Sequence, residues 1–497
     1  MEKHSGLSER SKMAFFIYDL IFLVLFSLFV VIFLYKRRKN LKREGIMYLY
    51  RTQIGVKFID YVGKKYKRAI SIFGFLGIIF GYIAMLLMIY LLWRLVYIYF
   101  FVPEAVRLIK IPPLMPLIPY LPSLFKVDFL PPFYFTYWII AIAVIAIFHE
   151  FSHGIVARRY GIRIKTTGFG FLGPFLAAFV EPDEKQMQKK SKYQQIAVLS
   201  AGTFANLILA IFFFLLLALF FTLAYAPSGA MFNTYAMGKV NISSISMIGE
   251  ISIANATSQE LLALISKNNL KDELILGSNG NTLNLTEIRA ANKNYFMTID
   301  MLKKQIEQDT SYVILYENYP AINLGMKGAI IEINGKKIKD NHALVEEMKK
   351  YKPGDKTIIK TKYKGEILEY SLILGKGPDE KPIIGVAAST SGGSLLGKIM
   401  NFFTFFKKAG TYYEPRFNPE LIIFIYNLIW WLALINLSVE LINMWPVAIF
   451  DGGRAFMLTV WAITRSEKFA EVAFRIVTYI ILGALLALMV GWFGAMF

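Results

Sequence analysis

The heptapeptide FHEFSHG, residues 148–154, closes an apolar run that begins at residue 133, and the rest of the chain is organised around it. It holds His149, Glu150 and His153 in a His-Glu-x-x-His pattern. On a helix, residues four apart share a face, so both imidazoles can reach one metal ion. Glu150 stands beside them, placed to take a proton from a water whose pKa a bound zinc lowers towards ~7. That is the chemistry of a metallohydrolase. Two surface histidines that happen to fall four apart are the plain alternative, and the setting argues against it. Residues 139–148 are as apolar as a membrane span, where ionisable groups are costly and usually functional. The chain has only four histidines, His4, His149, His153 and His342, so half of them stand in this motif.

At 497 residues, 56% of them hydrophobic, and with a mean hydropathy of +0.47, the chain is too apolar for an ordinary soluble protein. It reads as a polytopic α-helical membrane protein. The net charge of +20 would suit nucleic acid, but the basic residues cluster in short loops between apolar runs, so the charge is read as membrane topology and no nucleic-acid partner is expected. Cysteine is absent, which excludes disulfides and thiolate ligands and leaves His, Asp and Glu to hold any metal.

About six spans are predicted, at residues 15–35, 70–101, 133–157, 196–226, 421–445 and 472–493. The loop after the first carries Lys36, Arg37, Arg38, Lys39, Lys42 and Arg43, then Lys64, Lys65, Lys67 and Arg68, and is expected to be cytoplasmic. The proline-rich segment 111–125 cannot be a regular helix and belongs outside. The third span therefore runs inward, and Arg158, Arg159, Arg163 and Lys165 anchor its end, putting His149 and His153 near the inner side of the bilayer. After it, residues 166–182 (TTGFGFLGPFLAAFVEP) interrupt aromatics with Gly168, Gly170, Gly173 and Pro174, a spacing that predicts a bent hairpin. The fourth span carries the small-residue patch SAGTFAN, ending at Asn206, which reads as close helix packing.

From residue 227 to about 414 the composition becomes that of a soluble domain, placed outside by the count of spans. Its readable part begins with a strand at YVILY and continues through AINLGMKGAIIEINGKKI, a helix near residues 343–350, the turn YKPGD and two strands. The aromatic and basic stretch NFFTFFKKAGTYYEPR, residues 401–416, reads as a segment lying on the membrane. The fifth span returns inward and ends in NMWPVAIFDGGR, residues 443–454. It should deliver Asp451 to the side where the third span delivers His149 and His153, so the three can form a two-histidine, one-carboxylate site with an open position. Asn436, Glu440 and Asn443 share one face of that span, with Glu440 expected either neutral and hydrogen-bonded or paired with a cation such as Arg475.

With these residues in view, the chain resembles the site-2 protease family of intramembrane zinc metalloproteases from about residue 133 to its end. HEFSH matches the family's His-Glu-x-x-His, and NMWPVAIFDGG its Asn-x-x-Pro followed by Asp-Gly. The resemblance implies that His149, His153 and Asp451 ligate Zn2+, that Glu150 activates the water, and that Asn443 contacts the substrate or stabilises the oxyanion. TGFGFLGP is similar to the family's membrane-dipping β-loop, and Gly202-Thr203 stands where the family often has Gly-Pro. The soluble insert resembles the PDZ domains of membrane-associated proteases, with Gly328-Ala329 where those usually carry Gly-Asp; residues 238–310 have no counterpart there and imply an insertion or a second small domain.

The expected division is 1–132, two spans with a basic cytoplasmic loop and a Pro-rich outer loop; 133–226, the catalytic membrane core; 227–390, the extracytoplasmic mainly-β PDZ-like domain; and 391–497, the interfacial segment with two further spans. The expected activity is cleavage of transmembrane protein substrates in the lipid bilayer, as in regulated intramembrane proteolysis. A membrane-anchored protease acting on soluble peptides would carry a soluble catalytic domain around the motif, whereas here the flanks are spans. A non-catalytic receptor or scaffold with a PDZ-type sensor is the other alternative, and it has no need of Glu150.

Overall fold

The computed structural model describes residues 9–45, 47–102, 112–113, 115–125, 127, 130–172, 175–253, 257–268, 270–272, 274–278, 281–308, 311–388 and 404–496. The chain divides into two compact units, Glu9–Phe220 with Glu420–Phe497, and Phe221–Pro419. Among the described residues six helices are long and apolar enough to cross a membrane, in the order the hydropathy pattern predicts.

The first unit opens with α1 (Glu9–Lys36), the strands β1 (Leu41–Glu44) and β2 (Met47–Thr52), α2 (Val56–Lys65) and α3 (Lys67–Phe101). It continues with α4 (Phe135–Arg159), β3 (Ile164–Leu172), β4 (Phe175–Pro182) and α5 (Lys192–Ala224). α4 carries the His-Glu-x-x-His motif, and its start is fixed in an unforeseen way. A helix leaves its first backbone N–H groups unpaired, and Tyr134, the residue before α4, makes no side-chain cap. The cap comes instead from α1: Asp19, buried, accepts from the amides of Phe135 and Thr136, both at 2.8 Å, and from the hydroxyls of Thr136 and Tyr120. A charge that would be costly in an apolar bundle is thereby fully satisfied, and it fastens the first span to the motif helix.

The basic loop of residues 36–68 contains two strands and a helix. β1 and β2 form a hairpin, and β2 pairs with β3, Tyr50 opposite Phe169, so that an antiparallel sheet runs in the order β1-β2-β3-β4. The hairpin predicted at residues 166–182 is β3 and β4. Arg51 reaches from β2 across β3 to Glu181 on β4 at 3.0 Å, an ion pair between strands that meet only through the fold. α2 buries Ile59 against Val156 and Ala157 of α4. The described part of the proline-rich segment contains a single helical turn, Leu121–Leu124, in line with its proline content.

The second unit contains two main sheets. β5 (Tyr225–Met231) begins one of them. The other collects β6 (Met237–Asn241), β7 (Ile245–Ile248), β8 (Ile251–Ser252), β9 (Leu274–Ser278), β10 (Asn281–Ala290), β11 (Lys293–Met297) and β12 (Tyr312–Glu317), with helices α6 (Ser258–Lys267) and α7 (Ile299–Ile306). Its order is β6-β12-β11-β10-β7-β8, with β9 on β10. Residues 238–310 are thus the body of a separate small module, whose core includes Ile248, Leu261, Ile288 and Leu302. β13 (Ala329–Ile333), α8 (Asn341–Met348), β14 (Lys356–Tyr363), β15 (Glu366–Ile373) and β16 (Thr411–Pro415) follow, and the remaining sheet runs β15-β14-β13-β5-β16.

Two expectations change here. The strand YVILY is β12 and belongs to the first module, because its alternate residues Val313 and Leu315 are buried in that core and the two-residue period then fixes its sheet. The place beside β13 goes to β5, at the very start of the insert. Residues 411–415, expected to lie on the membrane, form β16 on the other edge of β5, with Thr411 and Tyr412 buried. Residues 391–403 of the expected interfacial segment lie outside the described residues.

The chain returns to the first unit with α9 (Pro419–Asn443), α10 (Asp451–Thr464) and α11 (Glu467–Met496). α10 is a helix of 14 residues between the last two spans, too short to cross a bilayer and therefore absent from the hydropathy reading. The turn leading into it closes through Trp445 N to Ile442 O and Phe450 N to Val447 O, both 3.0 Å. This turn explains the two glycines after Asp451. A Cβ on Gly452 would lie 2.6 Å from Met444 Cα, and one on Gly453 2.6 Å from the Val447 carbonyl carbon, so only glycine lets the turn fold back on the helix start. On α9, Asn436 and Glu440 are buried, whereas Arg475 is exposed and pairs with Glu471 at 3.9 Å; Glu440 is not its partner.

Candidate metal centre

α4 and α10 bring His149, His153 and Asp451 together: one ligand atom of each lies within 4.8 Å of the others. Asp451 Oδ2 is 3.5 Å from His149 Nε2 and 3.3 Å from His153 Nε2, and the two Nε2 atoms are 3.0 Å apart. The four-residue spacing on α4 aims both rings the same way. Asp451 is the first residue of α10, where the unpaired amides of a helix start favour a carboxylate.

A third helix forms the back of the site. His153 Nδ1 is 2.7 Å from the carbonyl oxygen of Val198, and His149 Nδ1 is 3.0 Å from the side-chain nitrogen of Asn206, both on α5. Between them stands Gly202, four residues from each, so the three share one face of α5. A Cβ at Gly202 would lie 2.8 Å from His149 Nε2 and 2.7 Å from its Cε1, and closer still to His153 Nε2. The missing side chain therefore opens the space into which both imidazoles point. Two imidazole nitrogens and one carboxylate oxygen around such a space suit a divalent ion of the zinc type, with a fourth position left open.

Glu150 is next to His149 in the chain but turns towards the sheet, where its Oε2 accepts the amide of Val180 on β4 at 3.0 Å. β4 is an edge strand, and Val180 uses its outward amide for this contact. Asn443 is the final residue of α9, half-buried, immediately before the turn that packs on Gly452. Of the five residues singled out from sequence, three converge, the fourth flanks them, and the fifth ends the helix leading into the Asp451 turn. Sequence reasoning gave no role at the site to Val198, Gly202, Asn206 or Asp19. Asn206 carried a legible signal: it is the one amide side chain in the apolar run 196–226, where a polar group faces the bundle interior.

A His-Glu-x-x-His helix thus meets a carboxylate inside a bundle of helices long and apolar enough to cross a membrane, the arrangement of a candidate metal centre in a multi-pass membrane protein. The chain belongs to Peptidase family M50, the site-2 protease family, whose profile matches residues 137–488. Over 194 residues it is 30% identical to Uncharacterized protein MJ0971 of Methanocaldococcus jannaschii, a match covering 38% of this chain and 48% of that protein. The chain thus spans about half the length of that relative. The family resemblance read from HEFSH and NMWPVAIFDGG is borne out.

Proposed function

We propose that this site-2 protease-like membrane metallopeptidase hydrolyses peptide bonds within or near transmembrane segments of membrane-protein substrates, as in regulated intramembrane proteolysis, with Zn2+ held by His149, His153 and Asp451. The observation that carries the reading is the convergence of these three side chains, with both imidazoles facing the space left by Gly202. Bound zinc supplies Lewis acidity, lowering the pKa of a water to about 7 and polarising a carbonyl. The chain's own residues manage the proton and the substrate. Glu150, with Oε2 held by the Val180 amide, takes the water's proton on its other oxygen; the water oxygen adds to the carbonyl carbon, the C–N bond breaks, and the proton passes from Glu150 to the leaving nitrogen. Asn443 contacts the substrate or the oxyanion.

A peptide bond in a transmembrane helix is shielded by its own hydrogen bonds, so the substrate must be unwound before it is cut. The hairpin of β3 and β4 supports a route for this, strand pairing with an unwound, extended substrate, and Val180 of β4 ties that hairpin to Glu150. The basic residues at 36–68 and 158–192 support a cytoplasmic position for both loops, hence an active site near the inner face and an extracytoplasmic insert. The PDZ-like part of that insert either excludes substrates with bulky exterior domains or holds a substrate's carboxyl terminus.

Zinc content and cleavage of single-span substrates, measured on detergent-purified variants, test the assignment. Glu150→Gln is expected to keep zinc and fold while losing about 10²–10⁴-fold in activity. Asp451→Ala and His153→Ala are expected to lose zinc together with cleavage. Full activity in Glu150→Gln rejects the hydrolase reading, and unchanged zinc in Asp451→Ala removes Asp451 from the site.

A further inference from the structure

Asn206 sits fully buried in an apolar span, and its carboxamide has one partner where it needs more. Its Nδ2 is 3.0 Å from His149 Nδ1, while its Oδ1 is buried without any hydrogen bond. The nitrogen and oxygen of a carboxamide exchange places on a half-turn of the group, and the hydrogen-bond network decides between the two orientations. With Nδ2 towards the ring, His149 Nδ1 must be the acceptor. The neutral imidazole then carries its proton on Nε2, the atom aimed at His153 and Asp451, and the Asn206 oxygen stays unsatisfied. With Oδ1 towards the ring, the oxygen accepts Nδ1–H, the carboxamide nitrogen takes the position without a partner, and Nε2 presents a lone pair to the space beside Gly202, as a metal ligand must.

His153 shows the same logic with no freedom of choice. Its Nδ1 faces the Val198 carbonyl oxygen at 2.7 Å, which can only accept, so its Nε2 is left as a lone pair. Asn206 and Val198, eight residues apart on α5, face the outer nitrogens of the two imidazoles. A metal-binding imidazole needs its second nitrogen held in this way, because the partner fixes both the tautomer and the plane of the ring.

We infer that Asn206 is the positioning residue for His149: its side-chain oxygen accepts Nδ1–H and so offers Nε2 to the metal. This rests on the reading of His149, His153 and Asp451 as a metal centre. The residue is needed for its acceptor and not for its volume, which separates this role from the helix packing suggested by its small neighbours.

The test uses full-length protein in detergent, with Zn2+ itself as the probe in competition with a chelating dye, and ¹⁵N-histidine spectra of the zinc-loaded protein, in which the chain's four histidines are the labelled rings. Asn206→Leu keeps the branching of the side chain, at somewhat greater volume, and removes the acceptor; Asn206→Asp keeps both the volume and the acceptor. Zinc affinity is expected to fall about 10–100-fold in Asn206→Leu and to stay within about threefold of wild type, or rise, in Asn206→Asp. In the zinc-loaded wild type and Asn206→Asp the His149 Nδ1–H is expected to be hydrogen-bonded, and in Asn206→Leu that bond is expected to be lost. Wild-type zinc affinity in Asn206→Leu, or a His149 Nδ1–H of the zinc-loaded wild type that shows no hydrogen bond lost in Asn206→Leu, overturns the inference. If Asn206→Leu does not fold, Asn206→Asp decides: a loss of more than about tenfold in zinc affinity overturns it. Failure of the wild type to bind zinc at all would instead reject the metal-centre reading.

Discussion

Replacing Gly202 by alanine adds one methyl group to an apolar helix, normally a mild and even helix-favouring change. Here the built Cβ lies 2.8 Å from His149 Nε2 and nearer to His153 Nε2. Ordinary contacts need about 3.5 Å or more, so at least one ring must retreat by roughly 1 Å. Neither ring is free to do so, because His149 is held through Nδ1 by Asn206 and His153 through Nδ1 by the Val198 carbonyl. The two Nε2 atoms that would hold an ion are the atoms the added methyl group crowds, so their convergence is lost. Gly202→Ala is therefore expected to purify folded but almost without zinc. Cleavage should fall by about 10²-fold or more, the cost of misplacing reacting groups by about 1 Å. Gly483→Ala is the control: it lies in α11 and its Cβ would meet nothing within 4 Å, so zinc and cleavage should be unchanged. Zinc per protein by elemental analysis and cleavage of a single-span substrate, measured on both variants, decide the matter. Full zinc content with normal cleavage in Gly202→Ala would refute the placement of the metal against α5.

Two further outcomes follow from the fold. Asp19→Ala strips the start of α4 of its only side-chain cap and leaves the Phe135 and Thr136 amides unpaired, at about 1–3 kcal/mol each, so unfolding in mixed micelles should shift by several kcal/mol while the zinc ligands stay chemically intact. An unchanged unfolding curve would show that α1 does not secure α4. For topology, the chain lacks cysteine, so single cysteines at the exposed positions Lys336 and Lys352 should react with an impermeant reagent in intact cells; labelling only after lysis would place the insert inside.

The family, the number of spans and the candidate ligands were legible in the sequence because each is written in a local code. A span needs a run of apolar residues, and a metal-binding helix needs two histidines four apart. Other features depend on partners far away in the chain. β1 and β2 are short, basic strands that become part of a sheet only because β3 pairs with β2 more than 100 residues later. YVILY has the alternation of a strand in either module, and only the burial of Val313 and Leu315 in one core selects its sheet. Asp19 reads as an isolated charge in an apolar run until the open end of α4 is set against it. The same holds at the metal centre. The sequence by itself determined which residues can hold the ion; the tertiary structure decided that α5 closes the site, with a glycine where a side chain would fill it and an asparagine at the outer nitrogen of His149. Ligand identity follows from side-chain chemistry and helical period, whereas the space for the ion and the orientation of its ligands depend on which helix packs behind them.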